Sequence, residues 1–456
     1  MNIVVVGNGK DGTTQTRQLP KEGHHILIVD NNPEVIENLV NMHDILGVCG
    51  NASSYDVLMQ AGVNRADLFI AVTSADELNL LSCMLAKKIG AKHTIARVRN
   101  PEYGRFLSYM RKELGLSMAI NPEYEAANEI YRILRLPEAL EVDSFAKGRV
   151  DLIAVKLNEG NRLIGHPISQ INRYYAARIL ICAVERDNKV FIPGGDFVLQ
   201  NGDKLFITGH SEEMDLFFKE SGTARRKIKN VMIIGGGKIA YYLAERLLKL
   251  NIKIKIIEQN NKRCLELSEM LPKAVIVHGD GTDQDVLMEE GIQGMDACVA
   301  LTDNDEENII LSMYATTLSL EKVVTKVNRI SFLKIIGNAE IDSIISPKVL
   351  TANHIVRYVR AMQTSETNSI RTLYQIVDGQ AEAIEFPVTA DSLFAGRAIK
   401  EIKIKMNNLI ACIIRNGRII YPDGNAVVEV GDNVVVVTTC PLLKDLNDIV
   451  EKQQVN

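Results

Sequence analysis

The residues IVVVGNGKDG at 3–12 return as VMIIGGGKIA at 231–240, 228 positions later. Each stretch is a run of apolar residues that ends in closely spaced glycines. Such a run predicts a buried strand, and the glycines predict a tight turn into a helix. A turn of this kind lets the backbone approach a pyrophosphate and directs N–H groups and the helix dipole at its charge. Both halves therefore contain a candidate nucleotide-binding turn.

Other landmarks repeat in step with the glycines. Asp30 corresponds to Glu258, 228 positions later. Five further pairs lie 229 positions apart: Gly62 and Gly291, Asp67 and Asp296, Thr73 and Thr302, Asp76 and Asp305, and Asn79 and Asn308. The match continues through residues 192–203 and 421–432, beyond the glycine-containing part. The chain is therefore a duplication, and its repeated unit is a pair of domains.

Within each unit, short β-branched runs alternate with polar, helix-forming stretches, which is typical of a parallel sheet with crossover helices. The rest of each unit has short strands and turn residues such as Asp187-Asn188, which predict a smaller module. The predicted fold class is α/β, with two Rossmann-like, doubly wound parallel-sheet domains, each followed by a small α+β regulatory C-terminal module. We place these four domains at 1–123, 139–222, 228–350 and 369–453.

Composition excludes several classes of protein. A chain of 456 residues is too long for one core. The net charge of −5 and the lack of a polybasic stripe argue against a nucleic-acid partner. Apolar runs such as 434–437 are far shorter than the roughly 20 residues that span a bilayer, and residues 1–7 show no secretion leader. The seven cysteines are scattered without metal-ligand spacing, so we expect reduced thiols, no metal site and a cytoplasmic protein.

The ligand class follows from the acidic residue that ends the second predicted strand. Asp30 and Glu258 each lie 23 positions after the first glycine of their turn. At this separation a carboxylate can accept hydrogen bonds from an adenosine ribose, and it would repel a 2′-phosphate. NAD or an adenine nucleotide is therefore preferred to NADP.

Other candidate contacts lie near the carboxyl ends of the predicted strands. The hydroxyl groups after the fourth strand, at Thr73-Ser74 and Thr302, can reach ribose or phosphate. Arg97 and its counterpart Lys326 can reach a phosphate or form a surface ion pair, and both alternatives stay open. In the loop after the third strand, Asp280 can bond the adenine amino group or the ribose, and Asn51 can do much the same without charge.

The two turns are not equivalent. Ile239 supplies the apolar residue that packs under the second turn, whereas Asp11 occupies that place in the first and is followed by the polar run 13–17. An Asp11 that is buried or faces a phosphate carries a desolvation or repulsion cost. We hypothesise weaker or altered nucleotide binding in the first half.

No catalytic constellation accompanies the predicted sites. The histidines occupy non-matching positions in the two halves, and Tyr241-Tyr242 is better explained by packing than by proton transfer. A bound nucleotide that is not consumed indicates a sensor. The rival hypothesis is an NAD-dependent oxidoreductase with unrecognised catalytic residues. A nucleotide-sensing transcription regulator is a third class, but its winged helix and basic recognition helix are absent.

The order of the glycine motif, Asp30, AVTSADELN (71–79), IARVRNPEY (95–103) and a trailing α+β module resembles the regulator-of-potassium-conductance (RCK, or KTN) domains. Their duplicated cytosolic form is the TrkA-type subunit of Trk potassium uptake systems, and the resemblance covers essentially the whole chain. It implies a homo-oligomer, either a dimer or a tetrameric ring, at the cytoplasmic face of the membrane. It also implies an integral membrane potassium transporter as partner, gated by NAD(H) and by ATP or ADP.

The resemblance also implies which residues hold the nucleotide. In the first half they are Gly7, Asn8, Gly9, Lys10, Asp11, Gly12, Asp30, Asn51, Thr73, Ser74 and Arg97. In the second half they are Gly235, Gly236, Gly237, Lys238, Ile239, Ala240, Glu258, Asp280, Thr302 and Asp303. The sequence departs from the family at Asp11 and along 13–17. When the two halves are aligned, Lys348 occupies the position that corresponds to Glu123. A metal-linked role for Glu123 would therefore not be duplicated in the second half.

Overall fold

A computed structural model gives the architecture of the chain. It describes residues 1–7, 19, 23–42, 45–103, 111–146, 149–329, 331–332, 341, 343–365, 372–377, 380–440 and 443–451. The chain forms two compact units, each built from both halves. One unit contains Met1–Tyr131 and Lys229–Val356, and the other contains Arg132–Ile228 and Arg357–Asn456.

The first half begins with a parallel six-stranded sheet in the order β3-β2-β1-β4-β5-β6. Its strands are β1 (Asn2–Val6), β2 (His25–Asp30), β3 (Leu46–Cys49), β4 (Leu68–Ala71), β5 (His93–Arg97) and β6 (Met118–Ile120). Its helices are α1 (Pro33–Met42), α2 (Tyr55–Gln60), α3 (Asp76–Ile89) and α4 (Pro122–Arg135), with a 3-10 turn at Val63–Arg65. Strand β1 is buried from Ile3 to Val6, as expected where helices cover both faces of a parallel sheet.

The first half continues with a five-stranded antiparallel sheet in the order β10-β9-β11-β8-β7. Its strands are β7 (Glu141–Phe145), β8 (Val150–Lys156), β9 (Leu180–Arg186), β10 (Lys189–Phe191) and β11 (Lys204–Thr208). Its helices are α5 (Ile171–Tyr174) and α6 (Ser211–Ser221), with a 3-10 turn at Ile168–Gln170. Asp187 and Asn188 both have positive φ, so the predicted turn closes the β9–β10 hairpin as a left-handed two-residue loop.

The second half repeats the parallel sheet in the order β14-β13-β12-β15-β16-β17. Its strands are β12 (Asn230–Ile234), β13 (Lys253–Glu258), β14 (Val275–His278), β15 (Ala297–Ala300), β16 (Lys322–Lys326) and β17 (Ser343–Ile345). Its helices are α7 (Lys238–Leu248), α8 (Asn261–Met270), α9 (Gln284–Glu289), α10 (Asp305–Thr317) and α11 (Pro347–Ser365), with a 3-10 turn at Ile292–Gly294.

The last module also repeats its counterpart, in the order β18-β19-β24-β21-β22, with β20 and β23 paired separately. Its strands are β18 (Thr372–Ile376), β19 (Ala381–Pro387), β20 (Arg397–Ala398), β21 (Asn408–Arg415), β22 (Arg418–Ile420), β23 (Val427–Val428) and β24 (Asn433–Thr438). Two 3-10 turns complete it, at Ile399–Glu401 and Leu446–Ile449.

The predicted fold class is confirmed. Both parallel sheets have the doubly wound order, in which successive strands are added to one side of the first strand and then, from the fourth strand on, to its other side. Ligands bind at the carboxyl edge where this reversal occurs, between the first and fourth strands. The four predicted domain boundaries stay predictions. Residues of both C-terminal modules, among them Phe145, Cys182, Ala411 and Val435, form one buried apolar cluster.

Each C-terminal module contains the same buried ion pair. Arg186 Nε and Nη2 donate to the two carboxylate oxygens of Asp203, both at 2.7 Å. Arg415 makes the same paired bonds to Asp432 at 2.9 and 2.8 Å. Each aspartate also accepts from a backbone N–H three positions earlier. Because two parallel bonds between planar groups fix the orientation of both side chains, each pair ties the end of one strand to the loop before the last strand of its module. These strands are β9 and β11 in the first half and β21 and β24 in the second.

No helix in the described ranges is long and apolar enough to cross a membrane.

Candidate functional site

The second-half glycine turn connects β12 to α7. Gly235 has φ +98°, and a Cβ there would lie 2.8 Å from the carbonyl carbon of Leu301, so this position requires glycine. Gly237 differs, because its φ is −66° and a Cβ there would meet no atom within 4 Å. The space in front of the first turn of α7 is therefore open. The N–H groups of that turn have no acceptor within their helix, which makes this opening suited to an anion.

Glu258 ends β13 and contacts the same turn. Its Oε2 accepts the backbone N–H of Gly236 at 2.7 Å, and its Oε1 accepts that of Asn260 at 2.7 Å. The carboxylate thus lies beside the glycines, where the sequence placed it. A carboxylate has about four acceptor sites, so these two bonds leave capacity for the hydroxyl groups of a ribose.

The loops after the third strands keep the same turn despite their different residues. Asp280 Oδ1 accepts from the backbone N–H and hydroxyl of Thr282 at 2.9 and 2.7 Å. Asn51 Oδ1 accepts the equivalent pair from Ser53, both at 2.9 Å. The bonds from Thr282 lower the pKa of Asp280, which keeps that side chain ionised. The two halves therefore differ here in charge and not in backbone conformation.

The asparagine of the repeated Thr-x-x-Asp-Glu-x-Asn stretch holds two strand ends together. Asn79 Oδ1 accepts from the N–H and hydroxyl of Thr73, both at 2.7 Å. Its Nδ2 donates to the carbonyl of Thr73 at 3.1 Å and to that of Arg97 at 2.9 Å. Asn308 bonds the N–H and carbonyl of Thr302 and the end of β16 in the same way. This residue therefore fixes the carboxyl edge of each sheet.

The aspartate of the same stretch holds the loop after the next strand. Asp76 Oδ2 accepts the backbone N–H groups of Arg99 and Asn100, both at 2.8 Å. Asp305 accepts the two corresponding N–H groups at 2.9 and 2.8 Å. Both aspartates are buried. These residues, which the sequence singled out for their repetition, build the edge on which a ligand would lie.

The two threonine hydroxyl groups predicted to face the ligand are engaged within their own loops. Thr73 Oγ1 bonds Asn79 and the carbonyl of Ala75, and Thr302 Oγ1 donates to the carbonyl of Asn304 at 3.1 Å. The carbonyl of Ser74 accepts from Arg99. A ligand that bonds these hydroxyl groups would have to replace or share those contacts.

The first-half turn is described only in part. Gly7 has φ +82°, and a Cβ there would lie 2.7 Å from backbone atoms of Thr73, as at Gly235. Asp30 ends β2, and its Oδ1 accepts the N–H of Asn32 at 3.0 Å. The other candidates of this turn, Asn8, Gly9, Lys10, Asp11 and Gly12, lie outside the described residues, as does the run 13–17. The predicted cost of Asp11 stays a prediction.

A cavity of about 330 Å³ lies in front of the second-half turn, and both halves line it. Gly237, Lys238, Ile239 and Ala240 form one side. Its charged lining residues are five cations and two acids: Arg97, Arg99, Lys238, Lys326 and Lys348, with Glu123 and Asp303. The sequence assigned Arg97 to the first-half site, whereas the structure places it in the cavity of the second-half turn.

Two of the five cations of this cavity, Arg97 and Lys326, are largely withdrawn from water. Arg97 is 4% exposed, and its Nη2 donates to the carbonyl of Thr73 at 2.6 Å. Lys326 is 7% exposed, and its Nζ lies 3.5 Å from Oδ1 of the fully exposed Asp303. Since Asp303 is solvated, this pair neutralises little of the lysine charge. The cavity keeps a positive field that suits a phosphate.

Glu123 is the half-buried acid of the cavity. Burial raises the pKa of its carboxyl group, and Arg99, Lys238 and Arg97 act in the opposite direction. Its Oε2 is buried and has no hydrogen-bond partner among the described residues. Protonation of Glu123 would therefore make the cavity more positive.

The predicted packing role of Tyr241-Tyr242 agrees with the structure. Both side chains are buried, and Tyr242 Oη accepts from Nδ2 of Asn121 at 3.0 Å. The ring of Tyr242 meets that of Tyr124 edge to face at 5.4 Å. Burial raises the pKa of Tyr242 to about 12, which does not suit a proton donor. These contacts seat α7 of the second half on α4 of the first half.

The sequence did not indicate that Lys348 lines the cavity, or that residues from both halves line it together. Lys348 follows Pro347 in the first turn of α11, a position that predicts a helix start and gives no indication of a ligand. No cluster of metal-binding side chains occurs in the part of the chain that the structure describes, and the seven cysteines are free there.

Models of two domain families match the chain. The TrkA-N domain matches residues 3–122 and 231–347, and the TrkA-C domain matches residues 152–222 and 383–449. The Trk system potassium uptake protein TrkA homolog of Archaeoglobus fulgidus is 31% identical over 449 residues, covering 98% of this chain and 100% of the relative. The Trk system potassium uptake protein TrkA of Halomonas elongata is 34% identical over 442 residues, covering 96% and 95%.

Two solved structures share the fold. The GsuK channel bound to NAD has a TM-score of 0.63 at 18% identity and covers 96% of this chain and 76% of that chain. GsuK bound to ADP has a TM-score of 0.52 at 16% identity and covers 79% and 69%. At these identities the similarity concerns the fold alone.

Proposed function

This chain belongs to the TrkA family of Trk-system potassium uptake proteins, and from that premise we propose that it is a nucleotide-sensing regulatory subunit of a Trk-type potassium transporter. The family is regulatory and is not a family of enzymes, which sets aside the oxidoreductase alternative. The subunit senses a nucleotide by binding it with different affinity in two conformations of the transporter complex.

The cavity at the second-half turn is the observation that supports this function best. It joins the open space before α7 to five cations and only two acids, one of which, Glu123, is half-buried and has a raised pKa. A pyrophosphate supplies the negative charge that this field favours, and the helix N-terminus supplies N–H donors. Glu258 lies beside the turn, where it can accept from ribose hydroxyl groups.

NAD(H) is the proposed ligand of the second half, with ATP and ADP as competing ligands. All three present a ribose with free hydroxyl groups next to a chain of phosphates, so they share the recognition chemistry of Glu258 and the glycine turn. They differ in what lies beyond the second phosphate. We also propose that the other candidate residues given for the two halves in the sequence analysis contact the bound nucleotide.

The partner is proposed to be an integral membrane potassium transporter. The subunit would lie at the cytoplasmic face of the membrane and assemble as a homo-oligomer, either a dimer or a tetrameric ring. Co-purification of the full chain with a Trk-type membrane subunit tests the partner, and light scattering coupled to gel filtration tests the assembly. A chain that stays monomeric and does not retain the membrane subunit would contradict this part of the proposal.

Titration calorimetry of the full chain with NAD, NADH, ATP and ADP tests the ligand, and Gly237→Ala provides the matched variant. The added methyl meets no protein atom and φ is negative, so the fold is retained. The methyl occupies the open space before α7, so we expect at least about tenfold weaker binding at this site. Unchanged binding by Gly237→Ala would place the ligand elsewhere.

Potassium flux in vesicles that contain the transporter and this subunit tests regulation. We expect flux to change on addition of a nucleotide with the wild-type chain and to change less with Gly237→Ala. Flux that does not respond to any of the four nucleotides would overturn the sensing function. Gly9→Ala, the variant at the corresponding first-half position, reports how much the first site contributes.

A further inference from the structure

Gly236, the middle glycine of the second-half turn, is held at both of its polar groups by charged side chains. Its N–H donates to Glu258 Oε2 at 2.7 Å. Its carbonyl accepts from Arg263 Nε at 2.8 Å. Hydrogen bonds to charged groups are about twice as strong as those between neutral groups. The two peptide planes that meet at Gly236 are therefore fixed by side chains from outside the turn.

Arg263 is itself held in place. It lies in the first turn of α8, where its backbone N–H donates to the side chain of Asn260 at 3.2 Å. Its Nη1 donates to Glu266 Oε2 at 2.9 Å. Because the guanidinium is planar, its two acceptors, the carbonyl of Gly236 and the carboxylate of Glu266, define its orientation. The side chain is 26% exposed, so most of it is packed against protein.

The turn also rests directly on α8. A Cβ at Gly236 would lie 2.6 Å from Leu267 Cδ1 and 3.0 Å from Glu258 Oε2. This close approach leaves no room for a side chain. The position of the turn is therefore set by α8 and the end of β13 as well as by α7, which follows it.

The first half lacks the arginine. Val35, 228 positions before Arg263, occupies the corresponding place in α1. A valine side chain donates no hydrogen bond, so it cannot hold a carbonyl of the first-half turn. Asp30 takes the place of Glu258 and is shorter by one methylene. The arginine of the charged clamp thus has no counterpart at the corresponding position of the first half.

We propose that Arg263 is a positioning residue for the nucleotide. It holds the carbonyl of Gly236 so that the N–H groups at the start of α7 keep the orientation that a pyrophosphate requires before any ligand arrives. An orientation fixed in advance reduces the ordering cost of binding. The clamp thereby makes the second half the tighter site. This inference rests on the proposed function, and it names the residue that distinguishes the second half of the chain from the first.

Two measurements on the full-length chain test the proposal together. Hydrogen–deuterium exchange without ligand reports the mobility of the turn at 235–240, and calorimetry with NAD reports its affinity. Arg263→Val introduces the first-half residue. We expect amide exchange in the turn to increase about tenfold and NAD binding to weaken by a similar factor. Arg263→Lys restores a donor and should recover part of both effects.

Lys262→Val is the matched control, because it removes the same charge from an exposed neighbour on the same helix. It should leave turn exchange unchanged and change affinity by less than about twofold. If Arg263→Val affects affinity no more than Lys262→Val, or if exchange rises while affinity does not change, the inference is overturned. If the wild-type chain binds no nucleotide, the proposed function fails instead, whatever the exchange shows.

Discussion

The two halves agree closely in the residues that shape the sheet edge and disagree in the residues that face the opening. Gly7 and Gly235 have the same left-handed conformation and the same close approach to the next strand end. Asn79 and Asn308 make the same three bonds to backbone groups. The duplication has thus kept the geometry that a Rossmann-type edge requires.

The differences lie where a ligand would be held. Ile239 and Arg263 in the second half correspond to Asp11 and Val35 in the first. Arg97 of the first half lines the cavity of the second-half turn. A repeated fold therefore does not imply two equal sites, and three pairs of variants together with the single variant Glu123→Gln can test how far the inequality extends.

Substitution of the first glycine of each turn should lower the free energy of unfolding the most, and by the same amount in both halves. Gly235→Ala and Gly7→Ala each force an L-residue into a left-handed conformation and against backbone atoms. We expect each to lower the free energy of unfolding by about 2 to 5 kcal/mol. Chemical denaturation checks this. Gly237→Ala is the control, since it has open space and should cost less than about 1 kcal/mol. A large loss at one glycine alone would break the symmetry inferred for the turns.

The ion pairs of the C-terminal modules should give the next largest effect. Asp203→Ala and Asp432→Ala each leave an arginine without its buried partner. We expect about 2 to 3 kcal/mol lost from the free energy of unfolding, below the range for fully buried pairs because each arginine is about a quarter exposed. Matching losses would confirm that the modules are stabilised alike.

Acid should remove the contribution of Asp432. Burial raises the pKa of its carboxyl group, but the bonds from Arg415 and from the N–H of Glu429 outweigh burial and hold the pKa below its usual value. A lowered folded pKa gives stability that is present at neutral pH and lost as the pH falls through that value. The difference between wild type and Asp432→Ala should therefore shrink in strong acid. A difference that grows in acid would contradict the assignment.

Glu123→Gln should have a smaller effect, confined to the shared cavity. Removing one negative charge should tighten NAD binding at neutral pH on the order of threefold. In the wild type, binding should tighten as the pH falls through the raised pKa of Glu123, because protonation removes the same charge. Calorimetry at a series of pH values falling from neutral should show this slope in the wild type and a weaker one in the variant. Equal slopes would place the titrating group elsewhere.

The exchange of Asn51 and Asp280 should have the smallest effect. Both residues accept the same two bonds within their turn, so Asn51→Asp and Asp280→Asn should change stability by about 0.5 kcal/mol or less. Any change in NAD affinity should be confined to Asp280→Asn, and thermal unfolding with and without NAD measures both quantities. A stronger response to Asn51→Asp would make the first half the principal site.

The sequence was sufficient for features that depend on local pattern. The apolar runs at 3–6 and 231–234 predicted the strands β1 and β12, because strands buried on both faces need such runs. The spacing of glycine and acid placed Glu258 beside its turn, since a strand–turn–helix unit has a nearly fixed length. The turn at Asp187 followed from residues that tolerate positive φ.

Features that depend on contact between distant segments were not predictable in this way. Nothing in the pattern near Arg97 indicates that its side chain lies against a turn 140 positions later. The bonds of Asn79 were also missed, because the repeated motif shows that this residue recurs in both halves but does not show that its side chain bonds the backbone of two strand ends. Such contacts depend on how the two halves pack together, which the pattern of apolar and polar residues within one half does not indicate.

The cavity lined by both halves has an evolutionary consequence. In a symmetric dimer of identical chains, every substitution appears in both subunits, so a residue cannot improve one site without altering its twin. Here the turn and the arginines that face it are encoded separately within one gene. Selection can therefore change the arginines and the glycine turn independently. Because both belong to one peptide chain, they are always present in equal numbers. Gene fusion has made specialisation of the two halves accessible by single mutations.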